Sequence, residues 1–300
     1  INNYFKLEYL KVSPLPEKVI LGKKDWFFAG EPKLIEDYRC IYPLNEEQLK
    51  RIRQNLLARI KWFNEKGIKY YIIIPPNKNN IYPEFLPDYI RKVSTKSKLD
   101  QVLKYLENDT EIKIIDVRPV LKSAKKRQQI YFKSDTHWNQ IGAYLGYYSL
   151  FNEICKDFPQ LKPLELNELG QKCFQSKKGD IAKMLALNDV YVRNEIKLST
   201  PNINPIKEFK TNRYPKRTKI TSYDSGNGLK LVMFRDSFGS HLLPLIQYHF
   251  SRSVFIWTYE LNTEIIEKEK PDIVIQQFLE RFIAYSLLKE NPPDIVFTSD

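Results

Sequence analysis

Residues 229–240 have the sequence LKLVMFRDSFGS, and this stretch decides the predicted fold. Its apolar run ends at Phe234 and is followed directly by residues that favour helix caps. A continuous apolar run of this length is typical of a strand buried on both faces of a parallel sheet. Ser237 therefore follows the carboxyl end of such a strand, where open α/β sheets place their functional sites.

Strands and helices alternate along much of the remaining chain. Amphipathic helices follow the capping residues Asn45 and Ser97, the first with a capping box to Gln48. Strands separated by helices of about ten residues predict an α/β fold, in which helices flank a parallel sheet. The predicted strands lie at 70–74, 112–117, 229–234, 253–257 and 272–275, with further helices at 139–155, 237–250 and 261–268.

Residues 156–228 interrupt this alternation. They contain five prolines and few strong apolar periods, although residues 181–187 can still bury surface. The segment is predicted to be an irregular or partly β insertion within one domain spanning residues 1–300. Nearer the amino terminus, residues 19–28 predict a hairpin that covers a sheet edge.

The chain is basic, with a formal net charge of +12, and residues 161–230 hold 14 Lys and Arg against 7 Asp and Glu. A basic surface attracts polyanions such as acidic polysaccharide, anionic lipid or nucleic acid. A compositional bias toward Lys, Asn and Ile explains the charge equally well. No recognisable nucleic-acid-binding module accompanies it, so we expect no nucleic-acid partner.

Cysteine usage and targeting signals say little about the compartment. Cys40, Cys155 and Cys173 are an odd number without a Cys-x-x-Cys pair, which indicates neither a zinc cage nor a disulfide framework, although one disulfide stays open. The sequence has no run of eighteen apolar residues and no signal-peptide pattern. Because it does not begin with Met, we expect that an export signal or anchor has been removed.

A second polar turn, at residues 131–139, carries one of only three histidines in the chain. Asp135 precedes His137 by two residues, and a nearby carboxylate can fix the tautomer of an imidazole and stabilise its charged form. The same pattern also occurs as a helix cap beside a hydrogen-bonded histidine. The catalytic interpretation therefore needs a nucleophile.

Ser237 meets that need. Its hydroxyl is predicted to lie at the carboxyl edge of the sheet, and the amides of the following first turn face the oxyanion that its attack would create. Asp236 and Ser237 would also serve as an ordinary helix cap. Because both polar turns fall between a strand and a helix of one sheet, they favour a Ser-His-Asp triad of Ser237, His137 and Asp135.

These motifs, in this chain order, resemble the SGNH-hydrolase-like polysaccharide O-acetyltransferases of the AlgJ and AlgX type. Asp135 to Trp138 is the most specific match, and residues 235–238 supply the serine block. Weaker matches cover much of the chain, at 22–28, 75–78, 81–84, 179–185, 271–275 and 280–281.

The resemblance implies an SGNH-hydrolase-like sheet with a circularly permuted motif order, because the serine block follows the Asp-x-His turn instead of preceding it. The asparagine that ordinarily lines the oxyanion hole would then fall near Gln276 and Gln277. Lys78 and Arg281 become candidates to bind substrate or support the site, with structural salt bridges as the alternative.

The resemblance further implies O-acetylation of an exported polysaccharide through an acetyl-serine, without a metal or cofactor. It implies an acetyl supply from a membrane-bound O-acyltransferase, and a periplasmic or cell-surface location with membrane association through a segment outside this sequence. An acetyl esterase with the same triad and a non-catalytic polysaccharide-binding scaffold are the alternatives. His241 is a second candidate for the base, whereas His249 is predicted to be an ordinary surface or core residue.

Overall fold

The computed structural model describes residues 2–200, 206–209 and 214–289. The strands within these residues are β1 Val19–Leu21, β2 Phe27–Ala29, β3 Lys69–Ile74, β4 Ile114–Asp116, β5 Gly170–Ser176, β6 Arg193–Ser199, β7 Lys207–Phe209, β8 Lys219–Ser222, β9 Lys230–Arg235, β10 Arg252–Trp257 and β11 Ile273–Gln277.

The α-helices of the same residues are α1 Asn2–Glu8, α2 Pro32–Arg39, α3 Glu46–Glu65, α4 Lys78–Ile81, α5 Lys98–Tyr105, α6 Arg118–Ala124, α7 Gln140–Asp157, α8 Asp180–Met184, α9 Leu243–Ile246, α10 Thr263–Glu269 and α11 Ile283–Leu288. Short 3-10 helices lie at Lys23–Asp25, Pro83–Phe85, Phe238–His241, Gln247–His249 and Glu280–Phe282.

The central sheet has the strand order β4-β3-β11-β9-β10-β8-β7. Its first five strands are parallel, while β8 pairs antiparallel with both β10 and β7. The predicted parallel sheet is therefore confirmed, with an antiparallel pair added at one edge.

Chain order and spatial order differ in a simple way. If β9 is counted as the first strand, β10 as the second and β11 as the third, then β3 and β4 are the fourth and fifth, and the parallel strands lie in the order 2-1-3-4-5. This is a doubly wound order, in which ligands bind where the strand order reverses, between the first and third strands. Ser237 follows β9 at this point, as the permuted arrangement requires.

Both faces of the sheet are buried, because successive strand residues point to opposite sides. On one face, residues such as Ile73 and Met233 pack with the apolar side of α7. On the other, residues such as Ile72 and Val232 pack against α3, α5, α10 and α11. The two cores fix the sheet, so the loops at its carboxyl edge rest on a rigid base.

Helix boundaries follow the predicted caps in most places. Asn45 and Ser97 both form capping boxes, and the Asn139 side chain caps α7 by accepting from the amides of its first turn. The single helix predicted from Ser237 to Phe250 is wrong: the segment consists of a 3-10 turn, α9 and a second 3-10 turn. Pro244 lacks an N–H group and prevents a continuous helix there.

The segment 156–228 contains the antiparallel hairpin β5–β6, helix α8 and the strands β7 and β8. Ile181 of α8 and Leu185, which follows the helix directly, share a small apolar core with Val19 and Phe27 of the hairpin β1–β2. That hairpin forms its own two-stranded sheet, and the Phe27 amide donates to the carbonyl of Lys133. It therefore lies against the loop that carries Asp135.

All three cysteines lie within the described residues, where their thiols are free. None of the described helices combines the length and the apolar character needed to cross a bilayer.

Trp138 anchors the Asp-x-His turn to the rest of the protein. Its indole is fully buried against α7, where Gly146 leaves room for it. A Cβ atom placed on Gly146 would lie 2.8 Å from the Trp138 ring. A glycine is therefore required in the middle of a helix, where alanine is ordinarily more stable by about 1 kcal/mol.

We expect Gly146→Ala to lower the free energy of unfolding by about 1–3 kcal/mol, because the rigid indole must shift to admit the methyl group. Urea denaturation measures this change. Ser149→Ala in the same helix is the control, with an expected change within about 0.5 kcal/mol. A more stable Gly146→Ala variant would show that helix propensity outweighs this contact.

Candidate active site

Asp135 and His137 form a directly bonded pair. His137 Nδ1 lies 2.7 Å from Asp135 Oδ1, and the His137 amide donates to the same oxygen at 2.9 Å. With Nδ1 donating to the carboxylate, Nε2 is the nitrogen that can accept a proton. Burial lowers the pKa of His137, but the hydrogen bond and charge of Asp135 outweigh it, so the pKa is raised.

The other oxygen of Asp135 is held by residues from the segment 156–228. Arg193 Nη1 donates to Asp135 Oδ2 at 3.0 Å, and the Asp180 amide donates to it at 3.1 Å. Arg193 also stacks on Phe132, with its guanidinium carbon 3.6 Å from the ring centroid. Burial raises the pKa of Asp135, but its hydrogen bond to His137 and the two neighbouring cations hold it far below its usual range.

Asp135, His137 and Asp180 lie close enough to form a set of metal ligands. Their oxygens already accept hydrogen bonds, however: Asp180 Oδ1 accepts from the Thr136 amide at 2.7 Å, and its Oδ2 accepts from the Thr136 hydroxyl. The Arg193 guanidinium on Asp135 would repel a cation. These contacts fit a hydrogen-bond network better than a metal site.

The serine turn is fixed by the buried carboxylate of Asp236. This carboxylate accepts from the Phe238 amide at 2.8 Å, the Leu279 amide at 2.9 Å and Gln277 Nε2 at 2.7 Å. Gln277 Oε1 in turn accepts from the Asp236 amide at 3.1 Å. Asp236 therefore connects the turn to β11. The Gln277 side-chain amide bonds Asp236 through both its nitrogen and its oxygen.

Gln276 points to the opposite face of the sheet. Its Nε2 donates to the carbonyl of Tyr259 at 2.6 Å, and its oxygen accepts from the Tyr70 hydroxyl and from Arg59. Adjacent residues of a strand alternate between faces, so only one of the two glutamines can approach Ser237. This geometry does not support an oxyanion role for Gln276.

The two turns pack directly against each other. Trp138 Nε1 donates to the carbonyl of Phe238 at 3.2 Å, and the ring centroids of His137 and Phe238 lie 4.8 Å apart. Ser237, immediately before Phe238, is half-buried at this contact. Within the described part of the chain, its hydroxyl has no hydrogen-bond partner.

Lys78 supports the Asp-x-His turn through three backbone carbonyls. Its buried Nζ donates to the carbonyls of Phe132 and Lys133, at 3.0 Å each, and of Asp135 at 2.7 Å. Burial lowers its pKa to about 7, although an ammonium group is needed to supply all three donors. Lys78 therefore acts on the site by positioning Asp135, and its ammonium is buried away from solvent.

Arg281 lies beside the site and pairs with no carboxylate of the described residues. Its Nη1 is 3.4 Å from Asn77 Oδ1, and its guanidinium carbon is 5.0 Å from the Phe282 ring. It lines a shallow crevice, partly open to solvent, together with Thr136 and Phe238. This position leaves Arg281 available to a substrate.

The other histidines differ from His137 in their partners. The His241 ring centroid is 5.7 Å from that of His137, but its buried Nδ1 has no partner among the described residues. Burial, followed by the charge of His137, lowers the pKa of His241 to about 4. His249 is buried and lies 2.7 Å from the Tyr147 hydroxyl. Of the three, His137 is the histidine oriented by a carboxylate.

The sequence did not reveal the roles of Arg193 and Asp180. Residues 179–185 match the family pattern, but the bond from the Asp180 amide to Asp135 joins residues 45 positions apart in the chain. Arg193 lies in the charged strand β6, and no sequence motif around it indicates a role in the site. Only the folded chain shows that the segment 156–228 completes the site.

A doubly wound sheet with a serine after its first strand and an Asp-x-His turn at the same edge defines an SGNH-hydrolase-like protein. The family model described as "SGNH hydrolase-like domain, acetyltransferase AlgX" matches residues 19–211. The chain belongs to this family, which places it among the acyltransferases. The matched residues include Asp135 and His137, while Ser237 lies beyond them.

Similar curated proteins are named "Probable alginate O-acetylase AlgJ". The protein from Pseudomonas syringae pv. tomato is 24% identical over 92% of this chain and 72% of its own length. The protein from Pseudomonas fluorescens is 22% identical over 94% and 72%.

Solved structures show the same fold at lower identity. PatB1 from Bacillus cereus has a TM-score of 0.64 at 16% identity, covering 90% of this chain and 98% of its own. The O-acetyltransferase domain of Pseudomonas putida AlgJ has a TM-score of 0.56 at 16% identity, covering 93% and 95%.

We expect Lys78→Met to lower the free energy of unfolding by roughly 2–4 kcal/mol, because three carbonyls then lose their buried donor. Chemical denaturation measures this loss. Lys133→Met is the control, since Lys133 is exposed and its Nζ donates to a single carbonyl; its effect should stay within about 0.5 kcal/mol. Equal effects of the two variants would contradict the assignment.

We expect Asp135→Asn to lower the pKa of His137, because the carboxylate that stabilises the charged imidazole is lost. Titration of the imidazole signals by NMR measures this shift, with His249 in the same spectra as an internal control. An unchanged His137 pKa would show that Asp135 does not stabilise the imidazolium.

Proposed function

We propose that this protein is a polysaccharide O-acetyltransferase that works through Ser237, His137 and Asp135. The observation that carries the proposal is the Asp135–His137 pair, bonded at 2.7 Å and packed through Phe238 against the turn that presents Ser237. Family membership supports acyl transfer, and the relatives named as alginate O-acetylases support a polysaccharide acceptor.

In the first half-reaction, Ser237 Oγ attacks the carbonyl carbon of an acetyl donor while His137 Nε2 takes the hydroxyl proton. The tetrahedral intermediate then expels the leaving group, which receives that proton from His137 and leaves an acetyl ester on Ser237. Asp135 keeps the imidazole in the required tautomer and stabilises its charge. Arg193 and the Asp180 amide keep Asp135 oriented and ionised.

In the second half-reaction, His137 Nε2 takes the proton of an acceptor hydroxyl as that oxygen attacks the carbonyl carbon of the acetyl-serine. The C–O bond to Ser237 then breaks, and Ser237 Oγ receives the proton from His137. We assign the Ser237 amide as an oxyanion donor, because it lies at the start of the turn and bonds no other group of the described chain. The chemistry needs no metal or cofactor, since His137 moves the protons and backbone amides can stabilise the charge.

The proposed setting follows the resemblance to AlgJ and AlgX. The acetyl group would come from a membrane-bound O-acyltransferase, and the protein would act outside the cytoplasm beside the membrane. Arg281 would contact substrate from the crevice that it shares with Thr136 and Phe238.

We expect Ser237→Ala to reduce donor hydrolysis and acetyl transfer on the order of 10⁴-fold or more, because no nucleophile remains. Intact-mass spectrometry after incubation with an acetyl ester should show an adduct of about 42 Da in the native protein and none in the variant. Ser225→Ala is the control, since Ser225 lies beyond the opposite end of β9, and it should retain the adduct.

Adding an oligosaccharide acceptor to the same reaction separates transfer from hydrolysis. Acetylated sugar in the products supports the transferase, whereas free acetate alone identifies an acetyl esterase. An adduct that persists in Ser237→Ala would overturn the assignment of the nucleophile. A native protein that neither reacts with donor nor changes the sugar would identify a binding scaffold.

A further inference from the structure

A cluster of one indole and two guanidinium groups lies beside the serine turn. Trp257 ends β10 and is the direct neighbour of Arg235 at the end of β9. The guanidinium carbon of Arg235 lies 4.5 Å from the Trp257 ring centroid, and that of Arg217 lies 5.2 Å from it. We refer to Trp257, Arg235 and Arg217 as the indole–guanidinium cluster.

Arg235 is a buried cation without a counterion. Its Nη1 donates to Ser240 Oγ at 2.7 Å and to the Asp236 carbonyl at 3.2 Å, while its buried Nε has no partner among the described residues. No carboxylate in the same part of the chain lies within ion-pair distance of it. Burial lowers the pKa of the Arg235 guanidinium to about 10, and the charge of the nearby Asp236 only partly offsets this effect.

Arg217 presents a second cation on the solvent side. Its side chain is exposed, and its backbone has the left-handed φ of 67°, which costs about 1 kcal/mol for a residue with a Cβ. The turn is held by the Thr218 amide, which donates to the Pro215 carbonyl at 3.2 Å. Two guanidinium groups thus lie over one indole, and a bound anion would interact favourably with both charges.

The cluster is close to the proposed nucleophile. Arg235 precedes Ser237 by two residues, and its Nη1 contacts residues on both sides of Ser237 in the chain. A polymer bound at Trp257 would therefore pass beside the acetyl-serine. An anion bound there is most simply part of the acceptor.

We propose that the indole–guanidinium cluster binds a uronic-acid residue of the acceptor polysaccharide. Arg217 donates to the sugar carboxylate, for which a planar guanidinium is well matched, and the solvent-accessible part of the half-buried Trp257 side chain contacts the sugar. Arg235 does not contact the sugar, but its buried positive charge beside Trp257 attracts the carboxylate. This assignment rests on the proposed function, because it places the acceptor and not the donor.

Binding of a mannuronic-acid oligomer, measured by calorimetry, tests the contact directly. We expect Arg217→Gln to weaken binding about three- to tenfold, the range of a partly exposed charge-assisted hydrogen bond. Lys216→Gln is the matched control: it removes the same charge from the adjacent exposed residue and should change binding less than about twofold. Equal losses in the two variants would overturn the proposal in favour of general electrostatic attraction.

A second binding experiment uses the same oligomer with its carboxylates reduced to neutral alcohols. Arg217→Gln and native protein should bind this neutral sugar equally, since the partner of Arg217 is missing. A loss that persists with the neutral sugar would also overturn the carboxylate assignment.

Tryptophan fluorescence locates the bound sugar. Of the four tryptophans, Trp26, Trp62 and Trp138 are buried, so a sugar-induced change should come from Trp257 and vanish in Trp257→Phe. A change that survives in Trp257→Phe would place the sugar elsewhere and overturn the proposal.

The binding measurements do not depend on whether the proposed acetyl transfer is correct. Binding is measured without turnover, so a protein that fails to hydrolyse the donor can still confirm or overturn the sugar contact. In an active protein, Arg217→Gln should raise the KM for the acidic acceptor, whereas Lys216→Gln should not.

Discussion

The Asp135 carboxylate is the constraint on which the rest of the site depends. One of its oxygens accepts from His137 twice, through the ring and the backbone amide, and the other accepts from Arg193 and the Asp180 amide. A buried carboxylate is stable as an anion only when its oxygens are bonded in this way. The same bonds keep His137 in one tautomer, so the stability of the turn and the orientation of the His137 ring have a common cause.

The supports beneath this carboxylate come from distant parts of the chain. Lys78 satisfies three carbonyls of the turn, and Gly146 of α7 admits the Trp138 indole that presses the turn onto the Phe238 carbonyl. On the serine side, Asp236 and Gln277 form a second closed set of hydrogen bonds. The two sets meet at Phe238, so both polar turns are held in place before any substrate binds. In the proposed reaction this would lower the reorganisation that is needed.

The permuted chain order leaves this geometry intact. In a doubly wound sheet, the carboxyl ends of all parallel strands lie at one edge, and a site depends on which strands are neighbours. The serine strand lies next to β11, which lies next to β3 and its loop, although β3 comes much earlier in the chain. The order of the strands along the chain therefore has little effect on a site built from strand ends. The antiparallel strand β8 lies beside β10, and Arg217, which shortly precedes β8, lies over the Trp257 ring.

The sequence by itself determined the strands of the parallel sheet, the caps at Asn45 and Ser97, and the two polar turns that carry His137 and Ser237. These features are local, because strand burial and capping leave periodic or short-range patterns. Only the tertiary structure decided that Arg193 and Asp180 hold Asp135, that Lys78 is a buried support, and that Gln276 and Gln277 serve opposite faces. It also showed how Pro244 divides the segment after Ser237. Contacts between segments from 41 to 217 residues apart leave no local pattern, since they depend on how buried polar groups find partners once both cores have formed.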